Sequence, residues 1–259
     1  MPNFLNFSLW VNVRMGYNDG MKRPHIIIFN PDQFRTDALY HMGCEASVTP
    51  NLDKTAEEDG ISFENAFCQN PVCTPSRCSF MSGWYTHTRG HRTMYYMMQK
   101  DEPVLLKILK DNGYHVWWGG KNDLVPGQFD ESEYCSHFNR TKRKIKKNLH
   151  QTAAQWRGPK DGDNYFSFYV GKLENDEDGT YIDEDWANVL DAIDFINDYD
   201  GNQPLCIYLP LSYPHPPYGA EEPYYSMIDR EKVQPPIKPY DNWDDKPSML
   251  KGIYREQHM

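Results

Sequence analysis

The sequence predicts one α/β domain built on a largely parallel sheet, and three observations carry this expectation. Short runs of continuous apolar, often β-branched residues recur at 24–30, 114–120 and 204–211, as in strands buried on both faces. Segments with helical spacing separate them, at 49–60, 102–113 and 182–198. Each run gives way directly to polar residues, and open α/β sheets gather ligands beyond the carboxyl ends of their strands.

The first run, Pro24-His25-Ile26-Ile27-Ile28-Phe29-Asn30, is closed by Pro31-Asp32-Gln33. Thr49 ahead of Pro50 supplies a cap and a proline at the first helical position, and Gly60 a stop, so 49–60 is expected to be a helix. The alternation Ile61-Ser62-Phe63-Glu64-Asn65-Ala66-Phe67 predicts a half-buried strand. A helix is expected from Cys73 to the Ser82-Gly83 stop, since Pro75 is tolerated where first-turn N–H groups have no partner. Residues 84–92 are aromatic and basic, and His87, Arg89, His91 and Arg92 fit either an anion pocket or a polar loop over the core. An amphipathic helix at 102–113 ends in Asn112-Gly113, and the strand at 114–120 carries Lys121-Asn122-Asp123 at its carboxyl end. Residues 125–180 have weak periodicity and read as an insertion over one sheet face. Trp186, Val189, Leu190, Ile193 and Ile196 restore helical spacing. The last run leads to Ser212-Tyr213-Pro214-His215-Pro216-Pro217-Tyr218, where prolines stiffen His215 in an extended loop. From Glu221 the chain reads mostly as loop. Residues 1–23 are expected to form an N-terminal extension, and 24–259 the domain itself.

A net charge of -10 argues against nucleic acid or an anionic membrane as partner, since either wants a basic face. The basic run Thr141-Lys142-Arg143-Lys144-Ile145-Lys146-Lys147 fits a solvated surface or an attractor for an anionic substrate. Six cysteines are too few for a disulfide scaffold at this size, and no CxxC pair suggests zinc. The first twenty residues lack the pattern of a signal peptide, and no apolar run reaches the roughly 18 residues of a membrane span; a cytoplasmic address is expected.

Candidate chemistry collects at strand ends and at one helix start. Cys73 faces the positive end of a helix dipole and its free donors, which suits work on an anion, and Arg77 follows one turn in. Asp32 fits a metal ligand or a turn-former, and His215 a structural or a catalytic group. Lys121 and Asp123 repeat the arrangement of a polar residue after a strand.

The Asp32-Gln33 start, the Thr-Pro-Asn-Leu-Asp helix, the Cys73-Thr74-Pro75-Ser76-Arg77 signature running on to Met81-Ser82-Gly83, the Gly120-Lys121 pair and the Pro214-His215-Pro216-Pro217 loop occur in this order. Together they resemble the sulfatase family of the alkaline-phosphatase-like superfamily, across roughly residues 24–220. The resemblance implies a mainly parallel sheet flanked by helices and the hydrolysis of a sulfate monoester on a small molecule or sugar. It implies that a maturation enzyme oxidises Cys73 to formylglycine, whose hydrate supplies the nucleophile. Arg77 would then hold the hydrate, and Asp32 and Gln33, with the modified Cys73, would bind Ca2+ or Mg2+. Lys121 would neutralise the transferring group, and His215 would bond the sulfate or protonate the leaving alcohol. A phosphonate monoester or phosphodiester hydrolase of the same superfamily is the neighbouring alternative, and a non-catalytic remnant the distant one.

Two departures matter. The family usually carries His two residues after the Lys, where this chain has Asp123, so either Asp123 serves as base or another His, such as His91, replaces it. The family's later Asp-(Asn or His)-Gly segment and a further Lys do not occur, so the chain is expected to be an N-terminal portion, weakly metal-binding and inactive alone.

Overall fold

The structure, a computed structural model, describes residues 23–145, 157–162, 165–235 and 246–256. The expected extension lies almost wholly outside these residues, as do Lys146 and Lys147 of the basic run.

Four parallel strands form the main sheet in the order β1-β5-β2-β3: β1 (Ile26–Pro31), β2 (His115–Trp118), β3 (His137–Phe138) and β5 (Leu205–Leu211). Alternation of side chains across the strands gives the sheet two apolar faces. Ile26, Ile28, Trp118, Cys206 and Tyr208 point to one, where Cys78 and Met81 of α2 (Cys73–Ser82) and Leu106 of α3 (Leu105–Asp111) cover them. Ile27, Phe29, Trp117, Leu205, Ile207 and Leu209 point to the other, against Val189, Ala192, Phe195 and Ile196 of α4 (Glu184–Asp198). Trp117 and Trp118, adjacent in sequence, thus anchor opposite layers, and burying each contributes roughly 3 kcal/mol. β5 is buried along its whole length, as its apolar run predicts. β1 is only half-buried, because it stands at the edge of the sheet among the described residues.

The expected helix at 49–60 forms as α1 (Pro50–Lys54), running on through a wider turn to Asp59. The strand expected at 61–67 does not form: Ile61, Phe63 and Phe67 are 79%, 72% and 82% exposed. Alternation supplies a strand's face but not the neighbouring strand its backbone must pair with. The region 125–180 carries more regular structure among its described residues than its weak periodicity suggests. It contributes β3 to the main sheet and β4 (Tyr169–Lys172), which pairs in parallel with β6 (Tyr218–Ala220). Its basic run also has a structural use, since Arg143 pairs with Asp191 and Asp194 of α4. Beyond Glu221, expected to be loop, the chain makes a single helical turn at Tyr224–Met227 and a helix at Ser248–Glu256. All six cysteines are free.

Candidate active site

The carboxyl ends of β1, β2 and β5 meet the start of α2. Cys73 is the first residue of that helix, and Val72 before it offers no side-chain cap, so the dipole's positive end is directed at Cys73. Four residues on, Arg77 is 3% exposed and spends its fork of donors inward. One nitrogen donates to Asn30 Oδ1 and to the Tyr208 hydroxyl, each at 3.0 Å, and the other to Asp32 Oδ2 at 3.4 Å. The helix thereby presents its cysteine to the end of β1 at a fixed distance: Cys73 Sγ donates to Asp32 Oδ1 at 3.3 Å.

Lys121 arrives from the end of β2. Its backbone N–H donates to Pro210 O at 2.9 Å, so the loop is fastened to β5. Gly120 precedes it at φ +112°, where a Cβ would lie 2.2 Å from that same carbonyl oxygen, and only glycine permits the approach. The ammonium binds Asp32 Oδ2, stands 3.7 Å from Cys73 Sγ and pairs with Asp123 Oδ2 at 3.0 Å. Asp123 has a left-handed backbone, φ 42°, which Asp tolerates. The Asn122 side chain imposes it, accepting from the N–H groups of Leu124 and Val125 at 3.1 and 3.0 Å.

Burial alone would raise the pKa of Asp32. The hydrogen bond and charge of Lys121, with the Cys73 hydrogen bond and the Arg77 charge, instead hold it below the ordinary carboxylate range. Burial raises the Cys73 thiol, and the neighbouring Asp32 and Asp123 add to this against the pull of Lys121. The sulfur therefore stays protonated and is a poor nucleophile as it stands. Burial lowers Lys121, but hydrogen bonds and charges from Asp32 and Asp123 more than offset it, and the ammonium keeps its proton above the ordinary lysine value.

Asp32, Cys73 and Asp123 bring one ligand atom each within 4.8 Å of one another. Asp123 Oδ2 is fully buried and has the Lys121 ammonium, 3.0 Å away, as its partner. Two carboxylates brought this close suit a hard cation. The Gln33 amide nitrogen donates to the Tyr218 hydroxyl at 3.1 Å. His215 is carried on the loop after β5, which Asp185 at the start of α4 secures by accepting from the N–H groups of Ser212 and Tyr213 at 2.7–2.9 Å. Its Nδ1 lies 2.7 Å from Pro216 O and so carries a proton, which makes Nε2 the basic nitrogen of the neutral ring.

The aromatic and basic segment at 84–92 folds as a polar loop over the core. Arg89 pairs with Asp101 and Glu102, and His91, 4% exposed, spans Glu102 Oε1 at 3.1 Å and Tyr96 O at 2.7 Å. With both ring nitrogens so occupied, His91 is a structural residue and not the replacement base. Sequence reasoning passed over Asn30, Tyr208 and Asp185. Of these, Tyr208 gives a signal, a phenol inside an otherwise apolar run, since a buried hydroxyl needs a partner.

At the carboxyl end of a parallel sheet, an acid, a cysteine at a helix start, a buried arginine and a lysine thus converge in a setting suited to an anionic group. Comparison with known proteins makes this more specific. The Sulfatase family pattern matches residues 24–242, and the chain belongs to the sulfatase family. It is 25% identical over 229 residues to an N-acetylglucosamine-6-O-sulfatase of Bacteroides thetaiotaomicron, covering 87% of this chain and 37% of that protein. It is 27% identical over 258 residues to an arylsulfatase of Clostridium perfringens, covering 89% and 52% respectively. Among solved structures, a protein in complex with its substrate D-glucosamine-2-N,6-O-disulfate superposes with a TM-score of 0.53 at 26% identity, over 75% of this chain and 35% of that one. The phosphonate monoester hydrolase of Agrobacterium radiobacter shares the fold, with a TM-score of 0.59 at 19% identity over 83% and 45% of the two chains. The chain thus spans about a third to a half of the length of these relatives.

Proposed function

We propose that the chain carries the nucleophile half of a sulfuric ester hydrolase acting on a sulfated small molecule or sugar. The observation that supports this most is the setting of Cys73: at a helix start, beside Asp32, Arg77 and Lys121, with its thiol held protonated. A thiol so suppressed makes little sense as a thiolate nucleophile and good sense as a precursor. Oxidised by the maturation enzyme to formylglycine and hydrated, the residue would offer one hydroxyl to attack sulfur and displace the alcohol; the second hydroxyl, losing its proton, would then form the aldehyde's C=O and expel the sulfate.

The other residues then have separable duties. Arg77, permanently charged and fixed by Asn30 and Tyr208, keeps the start of α2 and Asp32 in one geometry. Lys121 sets a positive charge beside the reacting position, where sulfate oxygens gather charge. His215, with Nε2 as its basic nitrogen, bonds the sulfate or serves the leaving alcohol. Asp123 takes the place of the family's histidine as proton acceptor or joins Asp32 in holding a cation. Ca2+ or Mg2+ bound by Asp32, Asp123 and the oxygen replacing Cys73 Sγ, with Gln33 as a further oxygen donor, would draw charge from the sulfate. These donors fall short of the roughly six to eight oxygens Ca2+ prefers, so the 259-residue chain alone is proposed to bind metal weakly and to be inactive.

The neighbouring reading, a phosphonate monoester hydrolase, has the fold likeness in its favour. The test is co-expression with a formylglycine-generating enzyme and mass spectrometry of the peptide containing Cys73. Loss of sulfur and gain of oxygen is expected, and it is abolished in Cys73→Ala. An unmodified Cys73 under conditions that convert a control sulfatase would overturn the proposal. Paired aryl sulfate and aryl phosphonate esters on the mature protein separate the two chemistries.

A further inference from the structure

Beside the site, the small β4-β6 sheet and the His215 loop line an open cleft of about 250 Å3. Its sides are Tyr169, Tyr213, Tyr218 and Tyr225, with the backbone of Gly171 and Gly219 between them. Gly171, at φ +85°, makes room for a flat wall: a Cβ there would stand 3.2–3.3 Å from the Tyr169 ring. The polar ends of the tyrosines already have partners, Tyr213 with Tyr181 among them. The Tyr169 and Tyr225 hydroxyls are 3.4 Å apart, and Tyr218 accepts from Gln33. Arg230 braces the outer wall, its guanidinium 4.4 Å from the centre of the Tyr225 ring. What the cleft offers a ligand is therefore ring faces.

Its position ties it to the reaction. Tyr213 and Tyr218 bracket His215 on one loop; Asp32 donates its backbone N–H to Tyr213 O at 3.1 Å, and Gln33, the next residue, holds Tyr218. These two bonds join the cleft's Tyr213 and Tyr218 to Asp32 and Gln33, the residues that follow β1.

We propose that this cleft is the leaving-group subsite and that it takes a planar aromatic ring, so that the substrate class is an aryl sulfate. This deepens the sulfate-ester reading and rests on it. A sugar would bring several hydroxyls against walls with almost no polar surface, each losing its water without a replacement hydrogen bond. An aromatic ring loses nothing of that kind and gains edge and face contacts with the tyrosines. The volume lies just under the ~300 Å3 at which drug-sized pockets begin, so it suits one ring or two fused rings.

The test is binding to the 259-residue chain, by saturation-transfer NMR, with 4-nitrophenol as probe and glucosamine as comparison. Tyr169 is half exposed, so Tyr169→Ala is expected to keep the fold, checked by circular dichroism. Saturable binding of 4-nitrophenol is expected, weakened about tenfold in Tyr169→Ala and retained in Tyr169→Phe. Equal binding to wild type and Tyr169→Ala, no saturable binding to wild type, or a preference for glucosamine overturns the proposal. Mass analysis of Cys73 in the same samples keeps the two readings apart. A converted Cys73 without ring binding refutes the subsite alone, and ring binding with an unconverted Cys73 refutes the sulfate chemistry alone.

Discussion

Replacing Asp183 by Asn should stabilise the protein at neutral pH, although Asp183 caps α4 by accepting from Trp186 N at 2.9 Å. The carboxyl is 7% exposed. Burial, reinforced by the charges of Asp185 and Glu221, pushes its pKa up to about 6 from an ordinary 3.8, against the Trp186 N–H that lowers it. In the interval between these values the folded chain keeps a proton that the unfolded chain has released. Stability therefore falls as pH rises through that interval, and the cost is complete above about pH 6 and absent below about pH 4. Two pH units correspond to about 3 kcal/mol. Asn caps a helix about as well as Asp and carries no charge to bury. Urea unfolding of both proteins at a series of pH values isolates the effect, because other groups cancel in the difference. The advantage of Asp183→Asn should grow from near zero at about pH 4 to about 3 kcal/mol at about pH 7. A difference that stays flat with pH, or a variant less stable than wild type at neutral pH, would refute the reasoning.

Three other outcomes are expected. Arg77→Ala leaves Asp32 buried with one of its two cationic partners and should cost roughly 3–5 kcal/mol, read as a lowered urea midpoint, while Arg77→Lys restores charge but not the fork to Asn30 and Tyr208 and recovers only part. His91→Ala removes a partner from the fully buried Glu102 side chain and should cost about 3 kcal/mol in melting experiments without altering Cys73 maturation; altered maturation or unchanged stability would contradict the structural role given to it. In mature enzyme, Asp123→Asn should leave sulfate attached to the Cys73 peptide, visible by mass after a single turnover. Free turnover in that variant would remove Asp123 from the proton-accepting role.

Much of this was legible in the chain. The runs at 24–30 and 204–211 become β1 and β5 because a continuous apolar stretch has only one place in an α/β domain, between two helical layers. The Cys73 helix is legible from Pro75 and Gly83, which act locally. β3, two residues long in an otherwise polar region, was not legible, since it is held by pairing to Trp117 and Trp118, distant in sequence. The strand expected at 61–67 failed for the converse reason. At the site, the strand-end rule pointed to Asp32, Lys121 and His215, whereas Asn30 and Asp185 act only through hydrogen bonds that folding creates.

The site's dependence on β5 has a consequence for how the sheet finds its register. Tyr208 holds Arg77 through its hydroxyl, and Pro210 receives Lys121 through its carbonyl, two residues apart on the same strand. A slip of one residue would turn every side chain of β5 to the opposite layer. Ile207 or Leu209 would then face the guanidinium, leaving a buried charge against hydrocarbon, and the amide of Lys121 would miss its acceptor. These two hydrogen bonds thus act as a proofreading device during folding: only the correctly threaded sheet satisfies both.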